Sequence, residues 1–181
     1  MGQELPITAY ALLGLLSFGD PLTGYELKQR ADRTLRFYWV SPAMSQVYTE
    51  LERLHREGLV TAHGDGRSTS YTLSRKGRTE LTRWMQESEP GFPVLKHPVA
   101  LRLLLGALVE PETVREMLTR HVKALEEEHA ALAEVRESLT GRDRPGEPFR
   151  YPAMVADWGL SYFAHEKAII EDLIDLLEND R

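Results

Sequence analysis

The first half of the chain opens with two helical segments of opposite character. Residues 7–18 are almost wholly apolar, which predicts a short buried helix that ends at the Gly-Asp-Pro turn after it. A second, polar helix is predicted from Thr23 to about Leu35. Its start is marked by Thr23 and Glu26, whose spacing is that of a capping box.

An amphipathic third helix and a hairpin follow. The helix is predicted to begin near Ser41 and to end at Gly58, which can adopt the left-handed conformation of a C-cap. Its buried face carries apolar residues at i, i+4 and i+7, namely Val47, Leu51 and Leu54. Residues 59–63 and 70–73 are β-prone runs on either side of a glycine-rich tip, so three helices and a hairpin predict a winged helix-turn-helix.

Two breaker-rich stretches, 88–98 and 140–152, divide the rest of the chain. We interpret the first as a domain boundary, which gives an N-terminal domain of residues 1–88 and a C-terminal domain of residues 95–181. The predicted fold class is mainly α, with the winged domain followed by a long-helix antiparallel dimerisation domain.

The C-terminal half contains three predicted helices, residues 99–109, 111–139 and 153–177, without a strand signal. The two long helices carry apolar residues at alternating steps of three and four, which is a heptad seam. One thin three-helix unit is not expected to cover both seams, so we predict a homodimer whose interface includes Leu118, Leu125, Leu132, Val155, Tyr162, Ile169 and Leu176.

Composition and charge narrow the function. The chain has no cysteine, so disulfides and thiolate metal sites are excluded, and no apolar stretch approaches the ~20 residues of a membrane span. We expect a cytoplasmic protein that does not contact a membrane. The net charge is −6, but residues 28–83 hold 11 basic and six acidic side chains, a cationic region that suits nucleic acid.

Several short motifs in this region occur in a fixed order. They are Gly24-Tyr25-Glu26-Leu27, Phe37-Tyr38-Trp39, the segment from Ser45 to Leu54, Glu57-Gly58-Leu59-Val60 and Tyr71-x-Leu73-Ser74-x-x-Gly77. Their order and spacing resemble the PadR family of bacterial transcriptional regulators. Residues 100–108, Pro111-Glu-Thr-Val and Gly159-Leu-Ser-Tyr162 extend the resemblance into the second half. The resemblance implies a dimeric, usually repressing, DNA-binding protein whose operator affinity is often lowered by a small molecule.

The third helix offers the candidate reading face. Opposite its apolar stripe lie Ser45, Gln46, Thr49 and Arg53, whose side chains can contact base edges and phosphates. Glu50 would repel phosphates unless it pairs with Arg53 or accepts from cytosine. Phosphate contact by Tyr48 is implied by the family resemblance. The alternative is that these residues form only the solvated side of an amphipathic helix.

The predicted wing adds Arg67, Ser68 and Thr69, which suit a minor groove or its flanking phosphates. Aromatic and histidine side chains just before the third helix, at the domain boundary and on the last helix suggest a site for a small aromatic effector. The candidates are Phe37, Trp39, His97, Trp158 and Tyr162. Ordinary core packing is the alternative for each of them.

We expect neither a cofactor nor a metal site, and no catalytic residues. Glu126 and His129 have the spacing of half a di-metal site, but the partner helix offers Tyr162 and His165 instead of a second such pair. No nucleophile elbow or paired acid–base carboxylates can be found. The competing hypotheses are a winged-helix module that binds protein instead of DNA, and a metabolite-binding or enzymatic bundle.

Overall fold

The computed structural model describes residues 5–39, 41–64, 66–91 and 96–179, without the side chain of Arg67. It divides into two compact units, Met1–Gly91 and Phe92–Arg181. The described chain is mainly helical with one small sheet, which confirms the predicted fold class. No helix within these residues is both long enough and apolar enough to cross a membrane.

The first unit is a winged helix-turn-helix. Its elements are α1 (Ile7–Leu16), β1 (Leu22–Thr23), α2 (Gly24–Thr34), α3 (Met44–Arg56), β2 (Val60–His63), β3 (Ser70–Leu73) and α4 (Arg75–Glu87). The strands form an antiparallel sheet in the order β1-β3-β2. Strand β1 was not predicted, because a two-residue strand that leads directly into a helix has no periodicity to reveal it.

Helix α3 begins three residues later than the sequence predicts. Ser41 precedes Pro42, and the residue before a proline is disfavoured in helical conformation. Ala43 is still extended, with ψ of 155°, and the helix starts at Met44. The Ser41 hydroxyl instead donates a 2.6 Å hydrogen bond to Oδ1 of Asp32 on α2, so it fastens the turn between the two helices.

Helix α1 lies at the centre of the first unit, as its apolar sequence predicts. Leu12, Leu13 and Leu16 are buried in one core with the apolar face of α3. Tyr10 stacks on Trp84 of α4 with ring centroids 4.6 Å apart, and its hydroxyl donates to Glu80 at 3.0 Å. Burial and this bond raise the pKa of Tyr10.

Helix α4 starts against the turn between α3 and β2. The Ser74 hydroxyl donates to the carbonyl of Gly58 at 2.7 Å and accepts from the amide of Gly77 at 2.9 Å. A Cβ atom at Gly77 would lie 2.0 Å from the carbonyl oxygen of Leu59. Only glycine therefore allows α4 to approach the sheet this closely.

The second unit is a helical assembly built around an antiparallel pair. It contains α5 (Pro98–Leu104), α6 (Pro111–Ser138) and α7 (Arg150–Asn179). Ion pairs join the two long helices at both ends and show that they run antiparallel. Arg115 near the start of α6 pairs with Glu178 at the end of α7, and Arg136 near the end of α6 pairs with Asp157 near the start of α7. The core includes Val114, Leu118, Leu125 and Ile170, with Phe163 and Leu177 among the side chains packed on it.

The seam of α6 is covered by the chain itself. Leu118 and Leu132 are completely buried and Leu125 nearly so, without any second subunit. The prediction that these three leucines lie at the dimer interface is therefore wrong. Small residues on α7, Ala156 and Gly159 among them, are buried in the same unit and allow close packing of the helices.

We predict that Gly77→Ala lowers the free energy of unfolding by about 1–3 kcal/mol, the usual range for forcing an extra methyl group into a packed site. The clash is with a backbone carbonyl, which cannot move aside as a side chain could. Urea unfolding followed by circular dichroism measures the effect. Gly14→Ala is the matched control: nothing lies within 4 Å of its added Cβ, so helix propensity should leave stability unchanged or raise it. Equal effects of both changes would contradict the packing argument.

Candidate nucleic-acid interface

The packing of α3 decides which of its side chains face outwards. Val47, Leu51 and Leu54 are fully buried, whereas Ser45 and Thr49 on the opposite side are exposed. Gln46 is exposed beside them. The structure thus brings these three predicted residues together on the first two turns of the helix, at the end that enters a major groove in helix-turn-helix proteins.

Gln46 also has a structural contact. Its Oε1 atom accepts a 2.9 Å hydrogen bond from the amide of Ala43 and so caps the start of α3. The carboxamide nitrogen, a donor, takes no part in this bond, and the oxygen retains a second lone pair. The cap fixes the side chain at the helix start, which reduces the conformational freedom that binding would otherwise remove.

Tyr48 packs over the start of α2. An added Cβ at Gly24, the first residue of α2, would lie 2.5 Å from Cε1 of Tyr48. The ring therefore rests directly on the glycine backbone, and its side chain remains partly exposed. Gly24 belongs to one of the sequence motifs, and the contact gives that motif a physical reason.

Arg53 is held by two carboxylates. Its guanidinium contacts Glu50 at 2.6 Å and Glu57 at 3.2 Å, and its side chain is 22% exposed. Burial lowers the pKa of Arg53, but the bonds and charges of Glu50 and Glu57 outweigh burial and raise it overall. This arrangement neutralises Glu50 on the α3 surface and leaves Arg53 less available for reading a base than the sequence predicts.

Arg56 is a further candidate that the sequence analysis did not select. It is exposed and follows Thr49 by seven residues, so it continues the same face of α3. The signal was present in the helical spacing, but Arg56 lies in the last turn, beyond the residues that usually contact bases. A cation there can reach a phosphate.

The turn before α3 is tied to α2 by a small polar network. Asp32 accepts from Ser41 and forms an ion pair with Lys28. The bond from Lys28 and then that from Ser41 lower the pKa of Asp32. The network sets the angle between α2 and α3 without using a residue of the reading face.

The wing has the predicted form. The two hairpin strands pair from Val60 with Leu73 to His63 with Ser70, and Gly64 and Gly66 have positive φ at the tip. Ser68 is exposed, whereas the Thr69 hydroxyl donates to the carbonyl of Gly66 at 2.8 Å and stabilises the tip. The side chain of Arg67 lies outside the described residues.

In the second unit, the four α7 residues predicted at the dimer interface are exposed, and so is Trp158 on the same helix. Trp158 is 73% exposed, and Val155, Tyr162, Ile169 and Leu176 also present large apolar surfaces to solvent. We call these five residues the α7 seam. Exposed leucines on and just after α5 add to the apolar surface of this unit. They are Leu101, Leu104, Leu105 and Leu108. Exposed apolar residues clustered on a surface are typical of an interaction site.

The five predicted effector residues fall in different surroundings. Phe37 and Trp39 belong to the first unit and follow α2, with Phe37 partly buried under Arg36. His97, Trp158 and Tyr162 belong to the second unit. Among these, Trp158 and Tyr162 are one turn apart on α7, and burial together with the charge of Glu166 raises the pKa of Tyr162.

A cleft of the first unit was not predicted. It has a volume of about 420 Å³ and is lined by Leu5, Ile7, Tyr10, Trp84, Met85, Ser88, Glu89 and Pro90. None of the five predicted effector residues lines it. It lies between the ends of α1 and α4, which are far apart in sequence, so residue spacing could not reveal it.

Two histidines and a glutamate meet in the second unit, although the sequence analysis expects no metal site. The Nε2 atom of His97 lies 2.6 Å from Oε1 of Glu166, and that of His121 lies 3.6 Å from the same oxygen. Glu126, which has the spacing of a metal-binding pair with His129, forms an ion pair with Lys167 instead. The gathered residues are the residue before α5, one residue of α6 and one of α7, and they have no common sequence motif.

Comparisons with known proteins agree with this architecture. Residues 12–83 match the transcriptional regulator PadR-like family, and residues 95–178 match the C-terminal family of the virulence activator alpha proteins. The fold thus defines a winged helix-turn-helix protein with a long-helix second half. Over residues 12–83 the chain belongs to the PadR-like family of transcriptional regulators, which confirms the resemblance seen in its sequence motifs.

Individual relatives align over nearly the whole length. The negative transcriptional regulator PadR of Bacillus subtilis is 24% identical, over 96% of this chain and 99% of that protein. The crystal structure of Bacillus subtilis PadR in complex with operator DNA superposes with a TM-score of 0.81 at 22% identity, covering 95% and 99% of the two chains. The crystal structure of the same protein in complex with p-coumaric acid superposes with a TM-score of 0.79 at 23% identity, covering 96% of this chain and 99% of that chain.

The contact between Tyr48 and Gly24 makes a testable prediction. We expect Gly24→Ala to lower the free energy of unfolding in the natural protein, because the added Cβ displaces the Tyr48 ring. In a Tyr48→Ala background the same change should leave the free energy of unfolding unchanged, because the ring that the added Cβ would displace is absent. A coupling of about 0.5–3 kcal/mol in this double-mutant cycle, measured by urea unfolding, is the expected range for residues in contact. Additive effects would show that the ring does not rest on Gly24 in solution.

Proposed function

We propose that this chain is a sequence-specific DNA-binding transcriptional repressor that acts as a homodimer on a pseudo-palindromic operator. The observation that carries the proposal is the exposed polar face at the start of α3, presented by a winged helix-turn-helix. The operator-DNA complex of Bacillus subtilis PadR supports it, because that protein has the same fold over its whole length. A DNA-binding role also implies a cytoplasmic protein and gives no reason to expect catalysis.

The residues divide into two roles in this proposal. Ser45, Gln46 and Thr49 read bases: a glutamine can bridge N6 and N7 of adenine, and a threonine methyl can contact thymine. Tyr48 and Arg56 contact phosphates and set the register of α3 on the duplex. Arg53 is held in ion pairs with Glu50 and Glu57, so its main role in this proposal is to stabilise the surface of α3, and contact with bases is secondary. The wing residues Arg67, Ser68 and Thr69 contact the adjacent backbone or minor groove.

The homodimer uses the α7 seam. Trp158 and Leu176 are among the most exposed large apolar side chains, and a second copy of the chain has the matching seam. Two-fold pairing would present two α3 helices to major grooves about one helical turn, ~34 Å, apart. A monomer could contact only one half-site.

A small aromatic molecule is the proposed effector. The p-coumaric acid complex of Bacillus subtilis PadR makes that acid the first compound to test, through its effect on DNA affinity. His97, Trp158 and Tyr162 of the second unit are the side chains proposed to contact it. An effector changes the DNA affinity only by the difference between its own affinities for the two arrangements of the dimer.

Gln46→Ala should reduce discrimination between duplexes. We expect the preference for an operator enriched from a randomised pool, relative to a scrambled duplex, to fall by about 1–3 kcal/mol, the value of one good base contact. Tyr48→Phe should instead weaken both duplexes alike. Fluorescence anisotropy at several salt concentrations measures both effects, and affinity should fall steeply with salt because phosphate contacts release counterions.

Gln86→Ala is the matched control, because Gln86 is exposed on α4, away from the reading face. Circular dichroism checks that loss of the Gln46 cap leaves α3 folded. Salt-independent binding, with no preference among duplexes, would favour the alternative that this winged domain binds a protein partner.

The dimer prediction concerns the centre of the α7 seam. Ile169→Glu should weaken self-association about 100-fold, because a buried charge without a partner costs about 3 kcal/mol or more. Ala164→Glu places the same charge at an exposed position of α7 outside the seam and should leave the dimer intact. Sedimentation velocity over a range of concentrations distinguishes the two. An unchanged dimer in the Ile169 variant would show that the subunits pair through another surface.

A further inference from the structure

A compact donor set lies where the three helices of the second unit meet. His97 precedes the first turn of α5, His121 lies on α6 and Glu166 lies on α7. One donor atom from each lies within 4.8 Å of the other two. All three side chains are largely buried, and the two imidazole rings meet edge to face with centroids 5.5 Å apart.

One atom of this set is unsatisfied. Nε2 of His121 is buried and has no hydrogen-bond partner among the described residues. Its distance to Glu166 Oε1, 3.6 Å, is too long for a hydrogen bond. A buried polar atom without a partner costs free energy and requires a physical explanation, such as an ion or a water molecule at that point. The unsatisfied nitrogen lies beside the carboxylate oxygen, where a cation would be stabilised.

The geometry points to a site for a divalent first-row transition metal ion, bound by His97, His121 and Glu166. Two imidazoles and one carboxylate are ligands for Zn²⁺, Co²⁺, Ni²⁺ and Fe²⁺, and leave coordination positions for water. Bonds of about 2.0–2.2 Å place the ligand atoms of a tetrahedral ion roughly 3.3–3.6 Å apart. The distance from His121 already fits, whereas that from His97 to Glu166 must lengthen.

The proton on His97 is what the metal ion would replace. Nδ1 of this ring accepts a hydrogen bond from the amide of Ala100 at 3.1 Å, so in the neutral ring the proton is on Nε2 and is donated to Glu166. Metal coordination through Nε2 moves the proton to Nδ1 and gives up the bond from Ala100. Proton and metal therefore compete for one position, and the metal-free site is held together by the hydrogen bond from His97 to Glu166.

The site lies next to the α7 seam. Tyr162, a member of the seam, is one turn before Glu166 on the same helix. A bound ion would hold the start of α5, α6 and α7 together at one point, because each of them carries one of the three ligands. Metal occupancy would thereby set the relative positions of the helix that carries the seam and the two that support it.

The test uses the full-length chain without a polyhistidine tag, stripped of metal by a chelator. Co²⁺ is the probe, because its d–d absorption in the visible range reports direct coordination by protein ligands. We expect one Co²⁺ per chain by titration. His121→Ala and Glu166→Gln should each weaken binding at least tenfold, and the Glu166 variant should keep its fold because the amide preserves the shape.

His129→Ala is the matched control, since His129 lies two turns further along α6 and outside the set. Its Co²⁺ spectrum and affinity should equal those of the natural chain. Absence of a d–d spectrum, or equal losses in the His129 and His121 variants, would overturn the proposed site. Because the readout is metal binding, it is independent of the proposed DNA-binding function: either can fail while the other holds.

Discussion

Helix α7 is apolar on two sides, and its own chain covers only one of them. Ile170 and Phe163 pack against α6, whereas Trp158 and Ile169 of the seam face solvent. Apolar surface of this extent is unfavourable in water, so the proposed pairing of two chains follows from the hydrophobic effect. The spacing of two reading helices, and with it the recognition of a two-fold operator, would depend on this pairing.

The reading face depends on a similar division within α3. Burial of Val47, Leu51 and Leu54 fixes the rotation of α3 about its axis and so determines which polar residues face the solvent. The contacts around it then refine the surface: Tyr48 rests on Gly24, and Arg53 neutralises Glu50. The ion pair uses Arg53, a side chain that could otherwise interact with DNA, which is why residue type alone overestimates the number of residues available for reading.

Sequence reasoning succeeded where the information is local. The capping box of α2 forms as expected, with the Glu26 amide donating to the Thr23 hydroxyl. It was wrong about Leu118, Leu125 and Leu132 because a heptad seam shows that a helix face will be buried but not against which partner. It also missed the meeting of His97, His121 and Glu166. Those positions are separated by 24 and 45 residues, and only the packing of three helices brings them together.

Thr23 ends one element and begins another. Its backbone pairs with Ser70 of β3 as the last residue of β1, and its side chain caps α2. A displacement of the hairpin relative to α2 would have to break the strand pairing or the cap. The hairpin and α2 must therefore move together as one rigid body, and any rearrangement inside the first unit that separated them would lose both the strand pairing and the cap.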